Sequence, residues 1–252
     1  MSLLSPPRNC WTIAPVTRAG VLVDGHDYYR SFYRTALTAE RYILLSGWQF
    51  DTSVRLVRGD DDDGTAPAEL AAFLDFLCER KPDLHVYVLA WDYNLVYALE
   101  REWLQRFSFG TRTHERVHFR FDSEHPVGAS HHQKLAIVDG TIAYTGGMDL
   151  CASRWDARKH KLHDPDRRAY RALKPYHNAM GFVWGEGLRP LERLFLERWR
   201  CATGEELSLP AARSACQVDA RGELELAASQ VGISRTFVDA TVEPARRVEE
   251  IR

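Results

Sequence analysis

Hydrophobic patterns that alternate between helical and strand spacing along residues 21–110 constrain the fold more than any other feature of the sequence. Amphipathic helices repeat apolar residues every three to four positions, whereas buried strands appear as short apolar runs. The helical patterns lie at residues 26–42, 67–81 and 94–107, and the strand patterns lie at residues 42–50 and 84–92. Helices and strands that alternate in this way predict an α/β fold, in which helices cover both faces of a mixed β-sheet.

The pattern changes in the second half of the chain. Residues 116–122 alternate apolar and polar side chains as a strand does, and residues 188–200 carry an apolar stripe at helical spacing. Residues 203–241 are irregular, and residues 243–252 have the pattern of a helix that has only begun. We therefore expect one α/β domain over residues 1–202, followed by a linker and the start of a helix over residues 203–252 that lead to a second half.

Composition excludes several classes of protein. Of the 252 residues 45% are apolar and 27% are charged, which is typical of a globular protein with a full core, and a net charge of −2 indicates no particular partner. The five cysteines are scattered without a C-x-x-C pair, so we expect reduced thiols in a cytoplasmic compartment. Neither a signal peptide nor a run of roughly 18 apolar residues is evident, so any membrane contact would be peripheral.

Residues 128–150 carry the polar side chains with the clearest chemistry. A strand pattern ends at the turn Asp139-Gly140, and a return strand follows. Alternation along the first strand places His132 and Lys134 on one face, roughly 6–7 Å apart along the chain. An imidazole beside an ammonium group forms a site for an oxyanion such as a phosphate. Lys134 would stabilise the phosphate oxygens, and His132 would act as nucleophile or acid/base.

The residues around this pair have supporting roles in the same prediction. Gly146 and Gly147 leave backbone N–H groups free to approach the anion closely. Asp139 falls on the opposite phase of the strand, so we expect it to anchor backbone and to support the catalytic pair from a distance.

The complete pattern is His132-x-Lys134, four residues, Asp139, six residues, and Gly146-Gly147-x-Asp149. It resembles the HKD signature of the phospholipase D superfamily. The similarity extends over about residues 20–202 and is that of the amino-terminal half of the two-motif enzymes. The segments that carry it lie at residues 46–51, 88–92, 123–139, 146–156 and 174–199.

The resemblance implies a phospholipase D-like half-domain that works with a second half. In such enzymes two α/β halves, each with one motif, meet at one active site. One histidine attacks phosphorus and forms a phosphohistidine, while the other protonates the leaving alcohol and then activates water or an acceptor alcohol. The expected substrate is a phospholipid at a membrane surface. No cofactor, metal or nucleic acid is expected.

The sequence departs from this family pattern because it holds a single His-x-Lys. Three arrangements are compatible with that count. The chain is part of a longer or split enzyme, the arrangement that we favour; it is a one-motif homodimeric phosphodiesterase or nuclease; or it is a catalytically incomplete half that binds anions or lipid.

Other residues near the motif are candidates for the site. Asp149 either shapes the phosphate pocket or only pins the turn, and Arg154 is a candidate phosphate ligand. Asp156 and Asp164 are candidates to orient the catalytic histidine. His131 is expected to be a structural hydrogen-bonding residue. Asn178 stands where the family usually has an acid, so a charge role at that position is in doubt.

Overall fold

The structure, a computed structural model, describes residues 3–92, 113–125, 130–168, 174–211, 224–239 and 246–250. The helix predicted at residues 94–107 lies outside these ranges. Among the described residues, no helix has both the length and the hydropathy that a membrane crossing requires.

An eight-stranded sheet forms the centre of the fold, with the strand order β5-β4-β3-β6-β7-β8-β2-β9. β3, β4 and β5 run parallel to one another, and every other neighbouring pair is antiparallel. The sheet is therefore mixed, as predicted. The strands are β1 (Thr12–Pro15), β2 (Arg18–Val23), β3 (Tyr42–Gly47), β4 (His85–Trp91), β5 (Val117–Asp122), β6 (Lys134–Val138), β7 (Ile142–Gly146), β8 (Ala179–Trp184), β9 (Leu224–Leu226), β10 (Gln230–Ile233), β11 (Thr236–Asp239) and β12 (Arg246–Glu249).

Helices cover both faces of this sheet. The helices are α1 (Asp24–Leu37), α2 (Leu70–Arg80), the single turn α3 (Pro165–Arg168) and α4 (Arg189–Thr203). Phe32 of α1 and Phe73 of α2 are buried in one core. Phe195 and Trp199 of α4 are buried in another, against β3 and β6. Each such side chain contributes about 1.5–3 kcal/mol through burial. The predicted α/β class, with helices on both faces, is confirmed.

One edge of the sheet gathers the residues that sequence analysis singled out. β3, β4 and β5 end there, and the antiparallel pairing of β6 with β3 makes β6 begin there. By the same alternation β7 ends, β8 begins and β2 ends at this edge. Lys134 and Gly146 face each other across the β6–β7 pair at that position. We call this the motif edge.

The structure corrects the predictions for residues 203–252. β9 pairs with β2 inside the main sheet, and β10 pairs with β1. The helix predicted over residues 243–252 is wrong for Arg246–Glu249, which form β12 and pair with β11. The segment Thr236–Asp239 is rich in β-branched and aromatic residues and supplies a strand partner, while a helix this short is marginal by itself. Glu250 closes the ribbon by accepting hydrogen bonds from Arg235.

Candidate active site

Lys134 and His132 lie together at the motif edge. Lys134 is the first residue of β6 and is only 3% exposed, whereas His132 precedes the strand and is exposed. The ring of Trp48 lies beside both: its centroid is 5.5 Å from that of His132 and 5.9 Å from Lys134 Nζ. The two side chains therefore meet at one place, as predicted, although His132 lies in the loop that leads into the strand.

The surroundings of His132 favour its neutral form. Partial burial lowers the pKa of His132 below its ordinary value of 6.5, and the positive charge of Lys134 lowers it further. Asp149 opposes this effect, and Arg154 adds to it. Because a neutral imidazole has a free lone pair, the lowered pKa makes His132 an available nucleophile or base at neutral pH.

Asp149 forms a buried ion pair with Lys134, with Oδ2 lying 3.1 Å from Nζ. Its other oxygen, Oδ1, accepts a hydrogen bond from the backbone N–H of Trp48 at 2.7 Å. Burial lowers the pKa of Lys134, and the carboxylate of Asp149 counteracts that shift. Asp149 therefore holds the residue that follows β3 and fixes the position of Lys134, while its part in a phosphate pocket stays a prediction.

Arg154 brings a second positive charge to this site. It lies in a 3-10 turn at Ala152–Arg154, soon after the end of β7, and its guanidinium carbon lies 4.9 Å from the ring centroid of Tyr176. Its charge contributes to the lowered pKa of both His132 and Lys134. Arg154 therefore adds positive charge to the electrostatic surroundings of His132 and Lys134.

The two glycines serve close packing. A Cβ atom at Gly147 would lie 2.3 Å from Asn178 Oδ1, and one at Gly146 would lie 2.5 Å from the carbonyl oxygen of Ala179. The N–H group of Gly147 donates to Ala179 O at 3.2 Å. The prediction that both glycines leave their N–H groups free for an anion is therefore wrong for Gly147, because the start of β8 occupies that group.

Asp139 lies at the opposite end of β6 from Lys134 and takes no direct part in this pocket. Its carboxylate accepts hydrogen bonds from the backbone N–H groups of Glu40, Arg41 and Tyr42 at 2.7, 2.9 and 2.8 Å. It therefore anchors the segment that leads from α1 into β3. The anchoring role was predicted, and the structure confines Asp139 to that role.

The two carboxylates proposed to orient the catalytic histidine act elsewhere. Asp156 Oδ2 lies 2.9 Å from His160 Nδ1, and Asp164 accepts hydrogen bonds from the first N–H groups around α3. Within the described part of the chain neither carboxylate hydrogen-bonds His132. The prediction is wrong for His132 because residues 155–164 fold back beneath the start of α1, where Asp156 meets a different histidine. His131, as expected, makes a structural contact with the carbonyl oxygen of Glu124 at 3.0 Å.

Sequence reasoning missed Asp51, which holds the turn that presents Arg154. Asp51 Oδ2 accepts a hydrogen bond from the N–H of Ala152 at 2.6 Å, and its own N–H donates to the carbonyl oxygen of Leu150. The signal for it was its place just after a buried strand of an α/β sheet, where ligand-binding residues collect.

A cavity of about 1020 Å³ lies beside His132, and its lining does not include Lys134 or Arg154. His132 lines it together with residues of β5, α4 and the β11–β12 ribbon, so the carboxyl-terminal strands form one of its walls. The lining residues are Asp122, Ser123, Glu124, His125, Ser130, His131, His132, Gln133, Leu194, Glu197, Arg198, Cys201, Arg235, Thr236, Phe237 and Arg247.

A histidine with a lowered pKa, a lysine and an arginine lie near one edge of the mixed sheet of this α/β protein and form a candidate site for an oxyanion. The family model described as "Phospholipase D" matches residues 35–249. The chain belongs to the phospholipase D family.

The chain is also similar to several known proteins. Phospholipase D B of Dictyostelium discoideum is 32% identical over 164 residues, which are 64% of this chain and 13% of that protein. Phospholipase D zeta 2 of Arabidopsis thaliana is 25% identical over 228 residues, which are 77% of this chain and 21% of that protein. The chain thus spans about a fifth or less of the length of these relatives. Among solved structures, NucT from Helicobacter pylori aligns over 75% of this chain and 98% of its own, with 10% identity and a TM-score of 0.48.

Proposed function

We propose that the chain is one half of a phosphodiesterase in which His132 forms a phosphohistidine intermediate. The observation that carries the proposal is the lowered pKa of His132 beside the positive charges of Lys134 and Arg154, at the mouth of an open cavity. The imidazole attacks phosphorus, so that a P–N bond forms and the P–O bond to the leaving alcohol breaks. Lys134 and Arg154 stabilise the charge that develops on the phosphate oxygens.

The second step needs a water molecule or an acceptor alcohol. Its oxygen attacks phosphorus, the P–N bond breaks, and His132 is released as a neutral imidazole. The proton of the attacking oxygen passes to the group that gave up its own proton as the acid of the first step. An alkoxide is a poor leaving group, so the first step also needs an acid that protonates the departing alcohol. We assign that acid to a second histidine from another half, supplied in the same chain, by a separate chain or by a second copy.

The proposed substrate is a phospholipid. The matched relatives carry the name phospholipase D, and the cavity is large enough for a headgroup with part of its glycerol backbone. Phe237 of the β11–β12 ribbon is partly exposed and adds apolar surface to the cavity wall. That surface would meet the glycerol and the first acyl carbons.

Two substrates that differ only in their leaving group test the mechanism. Bis(4-nitrophenyl) phosphate releases 4-nitrophenolate, which needs little protonation at neutral pH, so one half should cleave it. A dialkyl ester such as short-chain phosphatidylcholine needs the acid, and its cleavage should be slower by about 10²–10⁴-fold in a single half. His132→Asn should abolish both activities, whereas the matched control His163→Asn, an exposed loop histidine, should preserve them.

The dependence of the specific activity on protein concentration identifies which half supplies the acid. If two copies of this chain form the site, the specific activity on phosphatidylcholine rises with concentration and follows the mass measured by size exclusion. If another half is required, the specific activity on phosphatidylcholine stays low at every concentration while the aryl ester is still cleaved. Equal aryl ester cleavage by wild type and His132→Asn would contradict the proposal.

A further inference from the structure

A cluster of side chains that could bind a metal ion lies beside the motif edge, apart from the candidate active site. It consists of Asp24, His160 and His177, whose ligand atoms all lie within 4.8 Å of one another. Asp24 Oδ1 lies 2.7 Å from His177 Nδ1, and Asp24 Oδ2 lies 3.3 Å from His160 Nε2. Three separate segments of the chain therefore converge on one carboxylate, at the junction of β2 with α1.

The carboxylate at the centre of the cluster is incompletely satisfied. Asp24 is fully buried, and its Oδ2 atom has no hydrogen-bond partner among the described residues. Arg158, which is half exposed, brings its Nε atom only to 3.9 Å. A buried anionic oxygen without a hydrogen bond is costly, so the site favours a cation that would bind it directly.

His160 is already oriented as a metal ligand. Its Nδ1 atom lies 2.9 Å from Asp156 Oδ2. In the tautomer with the proton on Nδ1, that N–H donates to the carboxylate, and the lone pair of Nε2 faces Asp24. Asp156 is itself held by hydrogen bonds from Arg167 and from the N–H of Tyr176. A carboxylate behind a histidine is the arrangement that fixes the tautomer and orientation of ligands in metal sites.

We propose that Asp24, His160 and His177 bind a divalent transition-metal ion of the zinc type. Two imidazoles and one carboxylate suit Zn²⁺ or Co²⁺ and leave a fourth position open for water. Ligand atoms around tetrahedral Zn²⁺ lie about 3.3 Å apart for bonds of about 2 Å. The ligand atoms of the cluster lie between 2.7 Å and at most 4.8 Å from one another, a range that includes this value. Because the side chain of His177 is 69% exposed, it is free to adjust.

The ion would have a structural role, holding segments of the chain together, and would take no part in the phosphodiester chemistry. It joins the start of α1, the loop that holds His160 and the segment that precedes β8. Asn178, next to His177, donates its N–H toward Asp24 Oδ1, and its side chain packs against Gly147. Metal binding would therefore fix the beginning of β8 beside the pocket of His132. This inference does not rest on the proposed function.

Titration of the chelator-treated full chain with ZnCl₂ alone tests the proposal. We expect one tightly bound equivalent that involves the cluster, a rise in Tm on binding, and visible d–d absorption when Co²⁺ replaces Zn²⁺. His177→Gln should lower the affinity at least about 100-fold, and His160→Gln should do the same. Asp156→Asn should lower it about 10–100-fold while the cobalt spectrum is retained, because Asp156 orients a ligand without touching the metal.

Two control variants separate this site from adventitious binding to histidine. His163→Gln changes an exposed histidine in the same loop, and His118→Gln disrupts the contact of His118 with His85 at 3.0 Å elsewhere on the sheet. Both should retain the tight equivalent. Absence of a tight equivalent, or equal loss of affinity in His160→Gln and in the controls, would overturn the proposal. Circular dichroism of His177→Gln, whose altered side chain is exposed, verifies that lost binding does not reflect unfolding.

Discussion

The two ends of β6 carry residues of the same sequence motif. They differ in how many hydrogen bonds and ion pairs those residues already make within the protein. At one end Asp139 accepts three backbone hydrogen bonds and is buried. At the other end Asp149 is the one carboxylate that pairs with Lys134 among the described residues, and His132 lies exposed at a cavity. A buried carboxylate that already accepts three backbone hydrogen bonds has little capacity left for a substrate. The comparison therefore assigns stability to one end of the strand and chemistry to the other.

The largest effect is expected at the Lys134 end. Lys134→Met leaves the carboxylate of Asp149 buried without its cation, which should cost about 3–5 kcal/mol of unfolding free energy. It should also lower the rate of phosphodiester cleavage by about 10²–10³-fold, as expected when a stabilising positive charge is lost. Urea unfolding and initial rates measure the two losses.

The double variant Lys134→Met/Asp149→Leu separates the two roles of the ion pair. Removal of both charges should restore most of the stability, because no unpaired buried charge remains, while the activity stays low. Recovery of activity together with stability would mean that Lys134 only holds the fold, and the division between the two ends of β6 would fail.

A smaller and purely structural effect is expected at the other end of β6. Asp139→Ala removes the acceptor of three backbone N–H groups and should lower the free energy of unfolding by about 3 kcal/mol. Asp139→Asn retains one acceptor oxygen and should lose less. At a temperature where the variant is folded, its turnover per molecule should match wild type. A turnover loss in fully folded Asp139→Asn would place this residue in the chemistry.

The smallest effect concerns the protonation of His132. Since burial and Lys134 lower the pKa of His132, its NMR titration should have a midpoint below 6.5, and cleavage should decline as the pH falls through that midpoint. Arg154→Gln removes one of the neighbouring positive charges, so the midpoint should move upward. A midpoint above 6.5 in wild type would contradict the electrostatic description of the pocket.

Local patterns predicted most of the central layer. α1, α2, α4 and the strands β3 to β7 follow from apolar periodicity. The spacing of the motif alone predicts that His132 and Lys134 lie together. These features depend on residues close in sequence. The family assignment followed from the same motif.

Long-range pairings were not predictable in this way. β2 lies between β8 and β9, strands that are about 160 and 200 residues later in the chain, and β9 itself is a short exposed strand with no burial pattern. Asp156 is one of two candidates from sequence to orient His132, yet the loop after β7 brings it to His160. A carboxylate near a histidine in sequence does not specify which histidine it meets, because the turn between them sets the partner.

Detection of the covalent intermediate tests the central claim most directly. Rapid quenching during turnover of bis(4-nitrophenyl) phosphate, followed by trypsin, releases residues 121–134, which contain His125, His131 and His132. Fragmentation in the mass spectrometer assigns the modified residue. We predict a 4-nitrophenyl phosphoryl adduct on His132 that is absent from His132→Asn. Turnover without an adduct, or an adduct on His125 or His131, would contradict the account.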